Sequence, residues 1–183
     1  MSIVKKSIVA LPIAGLVGMI VPFPAVAGVN WQPTWSPEDL NHFMRPEGSL
    51  QGVGWDAYAR GVGQADLTNA SVNSQSVGDN WIDVTVRVAA ISAVASWQCV
   101  SNWTSPTGQT RCDLSIIRYG TPSLTSTNTA YWKAIGCHEA AHSLGLGERP
   151  AGDNSCTRMP ATQDVTSLAG DDISTFNLRY SNS

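Results

Sequence analysis

The strongest constraint on this sequence is a pair of histidines four residues apart, the first followed directly by a glutamate: His138-Glu139-Ala140-Ala141-His142. Four residues is a little over one helical turn, so on an α-helix both imidazoles leave the same face. The flanking residues predict such a helix from about Asn128 to Leu144. Asn or Thr is available as an N-cap, Trp132, Ile135 and Leu144 are apolar, and Gly145 and Gly147 can end the helix. With 3 His and so few Glu among 183 residues, the string H-E-x-x-H arises by accident on the order of one time in a thousand. The fold must therefore present a buried helix whose C-terminal half carries two imidazoles and a carboxylate.

That trio has a chemical reading. Two imidazole nitrogens on one face can be directed at one ion about 2.0 to 2.1 Å from each, and zinc suits them best. Glu139 lies roughly 100° around the helix from His138, beside such an ion, where it can take a proton from bound water. Against this stands the bland reading of a helix with two unrelated histidines, whose rings would then point apart.

Elsewhere the pattern is mixed. Gly54 to Leu67 places Trp55, Tyr58, Ala59 and Val62 at helical spacing. Trp81 to Val88 alternates β-branched and polar residues and predicts a half-buried strand, and Cys112 to Tyr119, with Leu114, Ile116 and Ile117, predicts a second. Asn69 to Asn80 and Asn102 to Gly108 read as loops. A last helix is expected at about Leu168 to Tyr180, with Asp171 and Asp172 complementing its dipole and Ile173, Phe176 and Tyr180 along one stripe. The expected fold is α+β, a small twisted sheet packed against the first two helices, with the cleft between these and the chain after Gly147. The tryptophans, Tyr119, Tyr131 and Tyr180 are expected in the core or the cleft wall.

Met1 to Ala27 has the three parts of a secretory signal peptide: Lys5 and Lys6, an apolar run from Ser7 to Val21, and Ala25-Val26-Ala27 as a cleavage site. Its removal leaves 156 of the 183 residues, the size of one domain. Residues 28–53 read as an irregular N-terminal segment or short propeptide, and 54–183 as the functional domain. Loss of Lys5 and Lys6 leaves 9 basic residues against 14 acidic ones, a net charge of −5, and no basic stripe argues for a nucleic-acid partner. Once the signal is removed no membrane association is expected, and the mature chain is expected to be a secreted monomer. Cys99, Cys112, Cys137 and Cys156 are even in number, as in exported disulfide proteins. Of the three pairings, Cys99–Cys112 and Cys137–Cys156 are favoured, because the first closes a polar, turn-rich segment and the second ties the motif helix to the loop after it.

The glycines after the motif carry a resemblance. His138-Glu139-x-x-His142-x-x-Gly145-x-x-Glu148 resembles the extended signature HExxHxxGxxH of the metzincin zinc metallopeptidases, in which the glycine bends the chain toward a third ligand. Met159 falls where that family has its Met-turn, a residue that packs beneath the zinc ligands. The stretch Asp171 to Tyr180 looks like the closing helix of matrixin-like and related bacterial catalytic domains. The resemblance implies a secreted zinc-dependent endopeptidase with one catalytic Zn²⁺, polypeptide substrates laid along an edge strand, and Glu139 as general base. No pattern indicates calcium, and none excludes it.

This chain departs from the signature at Glu148, which stands where the third histidine is expected. It is the only glutamate after Glu139, and the one remaining histidine, His42, is remote in sequence. In offering an acidic third ligand the chain is similar to the snapalysin-like metzincins, which have Asp there. The expected metal ligands are thus His138, His142 and Glu148, with Asp153 next in line and a surface pairing of Glu148 with Arg149 as the alternative. A second functional reading is a secreted zinc-binding or protein-binding module of metallopeptidase descent with weak or no activity.

Overall fold

The computed structural model describes residues 36–37, 41–73, 82–106, 108, 110–121 and 127–180. The expected signal peptide, 1–27, lies outside these residues. Numbered in chain order, the elements are β1 (Ser36–Pro37), β2 (Asn41–Pro46), α1 (Val53–Ala65), β3 (Ser71–Asn73), β4 (Val84–Ala89), β5 (Ala95–Thr104), β6 (Thr110–Gly120), α2 (Thr129–Ser143) and α3 (Gly170–Tyr180). The class is α+β.

Strand β6 organises the sheet. Along one side it pairs in parallel with β1 and then with β4, from Val84↔Ser115 to Ala89↔Gly120, and β2 and β3 follow beyond β4, also in parallel. Along its other side β5 pairs antiparallel, from Ala95↔Tyr119 to Thr104↔Thr110. The hairpin turns through Gly108, whose φ of 82° suits glycine, and Cys99–Cys112 staples it across the two strands. With pairing on one side only, β5 is an edge of the sheet among the described residues.

Several sequence expectations need correction. Within 28–53, expected to be irregular, Asn41–Pro46 forms β2, because His42 and Met44 alternate inward and Met44 joins the core. Ser71–Asn73 is a strand rather than a loop, and Asn102–Thr104 ends β5. On α1 the buried face is Gly54, Ala57, Tyr58, Gly61, Gln64 and Ala65, while Trp55 is 46% exposed. Small residues, Gly54, Ala57, Gly61 and Ala65, share that face with Tyr58 and Gln64, and α1 crosses α2 at backbone contact. A Cβ built on Gly136 would lie 1.9 Å from the Ala57 carbonyl oxygen.

Between the sheet and these two helices lies one core, including Val84, Val86, Ile117, Tyr119, Trp132 and Ile135. Strand β4 begins buried on both faces rather than one, with Val84 and Val86 in the core and Thr85, on the opposite face, also buried. Helix α2 is buried almost all round, as a helix in the middle of a domain must be. Its N-cap is Asn128, whose side-chain oxygen accepts from the Tyr131 backbone N–H. Helix α3 closes the far end of the domain, with Phe176 and Tyr180 packed on Leu144 and Ala65.

Candidate metal centre

The site begins with the way α2 ends. Leu144 is followed by Gly145 at φ 81°, a left-handed turn that an L side chain would strain. In that turn the Gly145 N–H bonds the His142 carbonyl and the Leu146 N–H bonds the Ala141 carbonyl. The chain folds back over the last turn, and the Leu146 carbonyl comes within 2.8 Å of His142 Nδ1. At His138 the equivalent partner is the Cys156 carbonyl, 2.8 Å from Nδ1. The Cys137–Cys156 bridge ties that residue to the helix one position before the histidine.

A carbonyl oxygen can only accept, so both Nδ1 atoms carry hydrogen, and in the neutral rings both Nε2 atoms are left with lone pairs. Those two Nε2 atoms stand 3.0 Å apart, and Glu148 Oε1 lies 3.4 Å from one and 3.2 Å from the other. Three acceptors thus converge without a donor among them, an arrangement that calls for a cation or a shared proton. The separations approach the edge of about 3.3 Å expected for a tetrahedron with bonds of roughly 2.0 Å to a central ion. The residues therefore fit a divalent metal, and the histidines do not point apart.

Charge in the site follows from burial and proximity. Burial lowers the pKa of His138, reinforced by His142 beside it. At His142 burial pulls the same way, but hydrogen bonds with Glu148 and the Leu146 carbonyl outweigh it and the net shift is upward. Burial alone would raise Glu148, yet the two histidines hold it below the usual carboxylate range. Glu139 is pushed up to about 7, chiefly by burial, while His142 and a hydrogen bond from the Trp97 backbone oppose the rise.

The other candidates take different places. Glu148 does not pair with Arg149 in the surface manner considered above: Arg149 is buried and its guanidinium meets Asp172, Asp171 and Asp153. Asp153 is accordingly engaged by Arg149 at 3.3 Å and is no part of the converging cluster. His42 is buried under the end of α2, where its Nε2 meets Ser143 Oγ at 2.9 Å. Met159 is 51% exposed and lines the cleft beside Pro160 and Ala161, rather than lying buried beneath the histidines.

A cleft of about 490 Å³ opens over this centre. Its floor is one face of α2, from Tyr131 and Ile135 to His138, Glu139 and His142. One wall is Val94 to Trp97 at the start of β5, and the other is Met159 to Ala161. Of the tyrosines expected in the core or the cleft wall, Tyr131 lines the cleft floor, whereas Tyr119 and Tyr180 are core. Trp97 lies in the cleft wall, as expected of the tryptophans, with its ring tilted 6.4 Å from that of His142; sequence reading missed its backbone contact to Glu139. No local pattern marks a backbone N–H that leaves one strand to meet a distant carboxylate.

No family model matches the chain, and no curated protein matches its sequence. Two solved structures of myroilysin are similar to it. One is 10% identical, with a TM-score of 0.48 over 84% of this chain and 98% of the other. The second is 13% identical, with a TM-score of 0.36 over 75% and 66% respectively.

Proposed function

We propose that this chain is an exported zinc-dependent endopeptidase of the metzincin kind, with Glu148 as third ligand. The observation that supports it most is the convergence of His138 Nε2, His142 Nε2 and Glu148 Oε1 within 3.0 to 3.4 Å, each imidazole oriented by a backbone carbonyl. Two imidazoles and one carboxylate form a donor set that catalytic zinc sites use, leaving a fourth position for water or substrate. Two disulfides fit an oxidising compartment. Among the described residues no helix is long and apolar enough to cross a membrane.

Zinc, when bound, supplies Lewis acidity toward a water and toward the scissile carbonyl. Glu139, held by the Trp97 backbone at the cleft floor, takes the proton of the attacking water and delivers it to the leaving amine. The outer edge of β5 offers backbone groups to an extended peptide, which would lie antiparallel or parallel along Val94 to Trp97.

The test is hydrolysis of casein with and without a chelator, followed by readdition of zinc. Activity lost on chelation and restored by zinc supports the reading. Glu139→Ala should keep zinc and lose hydrolysis. A zinc-loaded wild-type chain that cleaves nothing would favour the alternative of a binding module, and casein cleavage by Glu139→Ala at the wild-type rate would refute the mechanism.

A further inference from the structure

Directly after Glu148, Arg149 is buried and does not line the cleft. Its Nε and Nη2 donate to one oxygen of Asp172 at 2.9 and 2.7 Å, Nη2 also meets Asp171 at 2.8 Å, and Nη1 meets Asp153 at 3.3 Å. The backbone at Arg149 is equally fixed. Its N–H donates to the Thr157 carbonyl at 3.0 Å, and its own carbonyl accepts from Met159 N–H at 3.1 Å. The peptide that carries Glu148 toward the histidines is therefore clamped by side chain and backbone together.

Asp172 faces two ways. Located in the first turn of α3 and 1% exposed, it is no mere complement to a helix dipole. Its second oxygen accepts from Ser155 Oγ at 2.5 Å and from the Ala169 N–H at 3.2 Å. Ser155 precedes Cys156, whose carbonyl orients His138. One buried carboxylate thus reaches the site along two routes, through Arg149 to Glu148 and through Ser155 to the Cys156 carbonyl.

We infer that the Arg149–Asp172 ion pair is a positioning device for the metal centre, setting the third ligand and the orientation of His138 together. This rests on the zinc reading of the site. Arginine is suited to the task because its planar fork holds two carboxylates in fixed directions, which a lysine at the same place cannot do. Groups that hold the ligands of a metal typically change its affinity by 10- to 100-fold when altered.

Breaking a buried ion pair also destabilises a fold, so the test must separate the two effects. The full-length chain is prepared as wild type, Arg149→Lys, Asp172→Asn and Glu148→Gln, and as the double variants that combine Glu148→Gln with Arg149→Lys and with Asp172→Asn. Zinc affinity is read by competition with a chromophoric chelator, stability of the metal-free protein by urea unfolding, and ligand geometry by the visible absorption of the cobalt-substituted protein. Arg149→Lys should weaken zinc roughly 10- to 100-fold and alter the cobalt spectrum while the metal-free protein stays folded. In the Glu148→Gln background its effect should shrink to within about twofold, because it acts through that ligand. Asp172→Asn should retain part of its effect there, through Cys156. An equal loss for Arg149→Lys in both backgrounds, or a lowered urea midpoint with zinc affinity unchanged in both variants, overturns the inference. A wild-type chain that binds no zinc overturns the metal reading itself, and is seen before any variant is compared.

Discussion

His138 and His142 face each other through Nε2 atoms 3.0 Å apart, while each Nδ1 is turned to a backbone carbonyl. In the metal-free protein this arrangement opposes two lone pairs unless a proton sits between them. Zinc should therefore stabilise the fold strongly. At free zinc a hundredfold above its dissociation constant the gain is about 2.7 kcal/mol, or roughly 5 to 10 °C in thermal midpoint for a domain of this size. Thermal unfolding with zinc and with chelator measures it. His142→Ala should abolish the difference; an equal zinc shift in that variant would rule out the proposed ligand set.

The two disulfides should have similar effects on stability and different effects on the metal. Cys99–Cys112 closes 13 residues and Cys137–Cys156 closes 19, and loops of that length predict about 3 kcal/mol for each. Only Cys137–Cys156 carries a carbonyl that orients a histidine. Paired Cys→Ala variants at each bridge should lose comparable urea stability, yet only Cys137→Ala with Cys156→Ala should weaken zinc binding. Equal zinc affinities in the two variants would contradict this.

Burial lowers the pKa of His42 to about 4. Since the unfolded chain takes up this proton near pH 6.5, the folded state binds fewer protons between those values, and stability falls as the pH falls through that window. Above about pH 6.5 the contribution is complete. The loss between pH 7 and pH 5 is on the order of 2 kcal/mol. Urea unfolding of wild type and His42→Gln at both pH values isolates it from the carboxylates common to the two. A variant as sensitive to pH as the wild type would show that His42 is not the group responsible.

Two helical glycines should respond in opposite ways to alanine. At Gly136 the added methyl meets the Ala57 carbonyl at 1.9 Å and forces α1 and α2 apart, at about 3 kcal/mol or more. At Gly63, exposed on α1 with nothing within 4 Å of the new carbon, alanine should stabilise by roughly 0.5 to 1 kcal/mol. Denaturation midpoints decide both, and a Gly136→Ala protein as stable as wild type would refute the close helix crossing.

The helices were readable in the sequence because their signals are local: Asn128 caps α2, Gly145 ends it, and Phe176 and Tyr180 recur at helical spacing. Strand β5 was not, since an edge strand with residues such as Gln98, Ser101 and Asn102 buries little and reads as loop. The alternation of His42 and Met44 in β2 is too short, among Pro, Glu and Arg, to mark a strand in the sequence. The histidine spacing and Glu148 were legible because one helix and one turn bring them together. The carbonyls of Cys156 and Leu146, the Trp97 backbone on Glu139, and the carboxylates around Arg149 were not, because each comes from a distant segment or from main chain that any residue could supply.

The burial of Asp172 on α3 also bears on when the centre can form. A ribosome delivers β6 and α2 before α3, so the two histidines can take their helical places while the carboxylate that fixes Arg149 is still untranslated. Until α3 docks, the chain has its imidazole pair but no firm hold on Glu148. A nascent or C-terminally shortened chain should accordingly be a poor metal acceptor until α3 is in place.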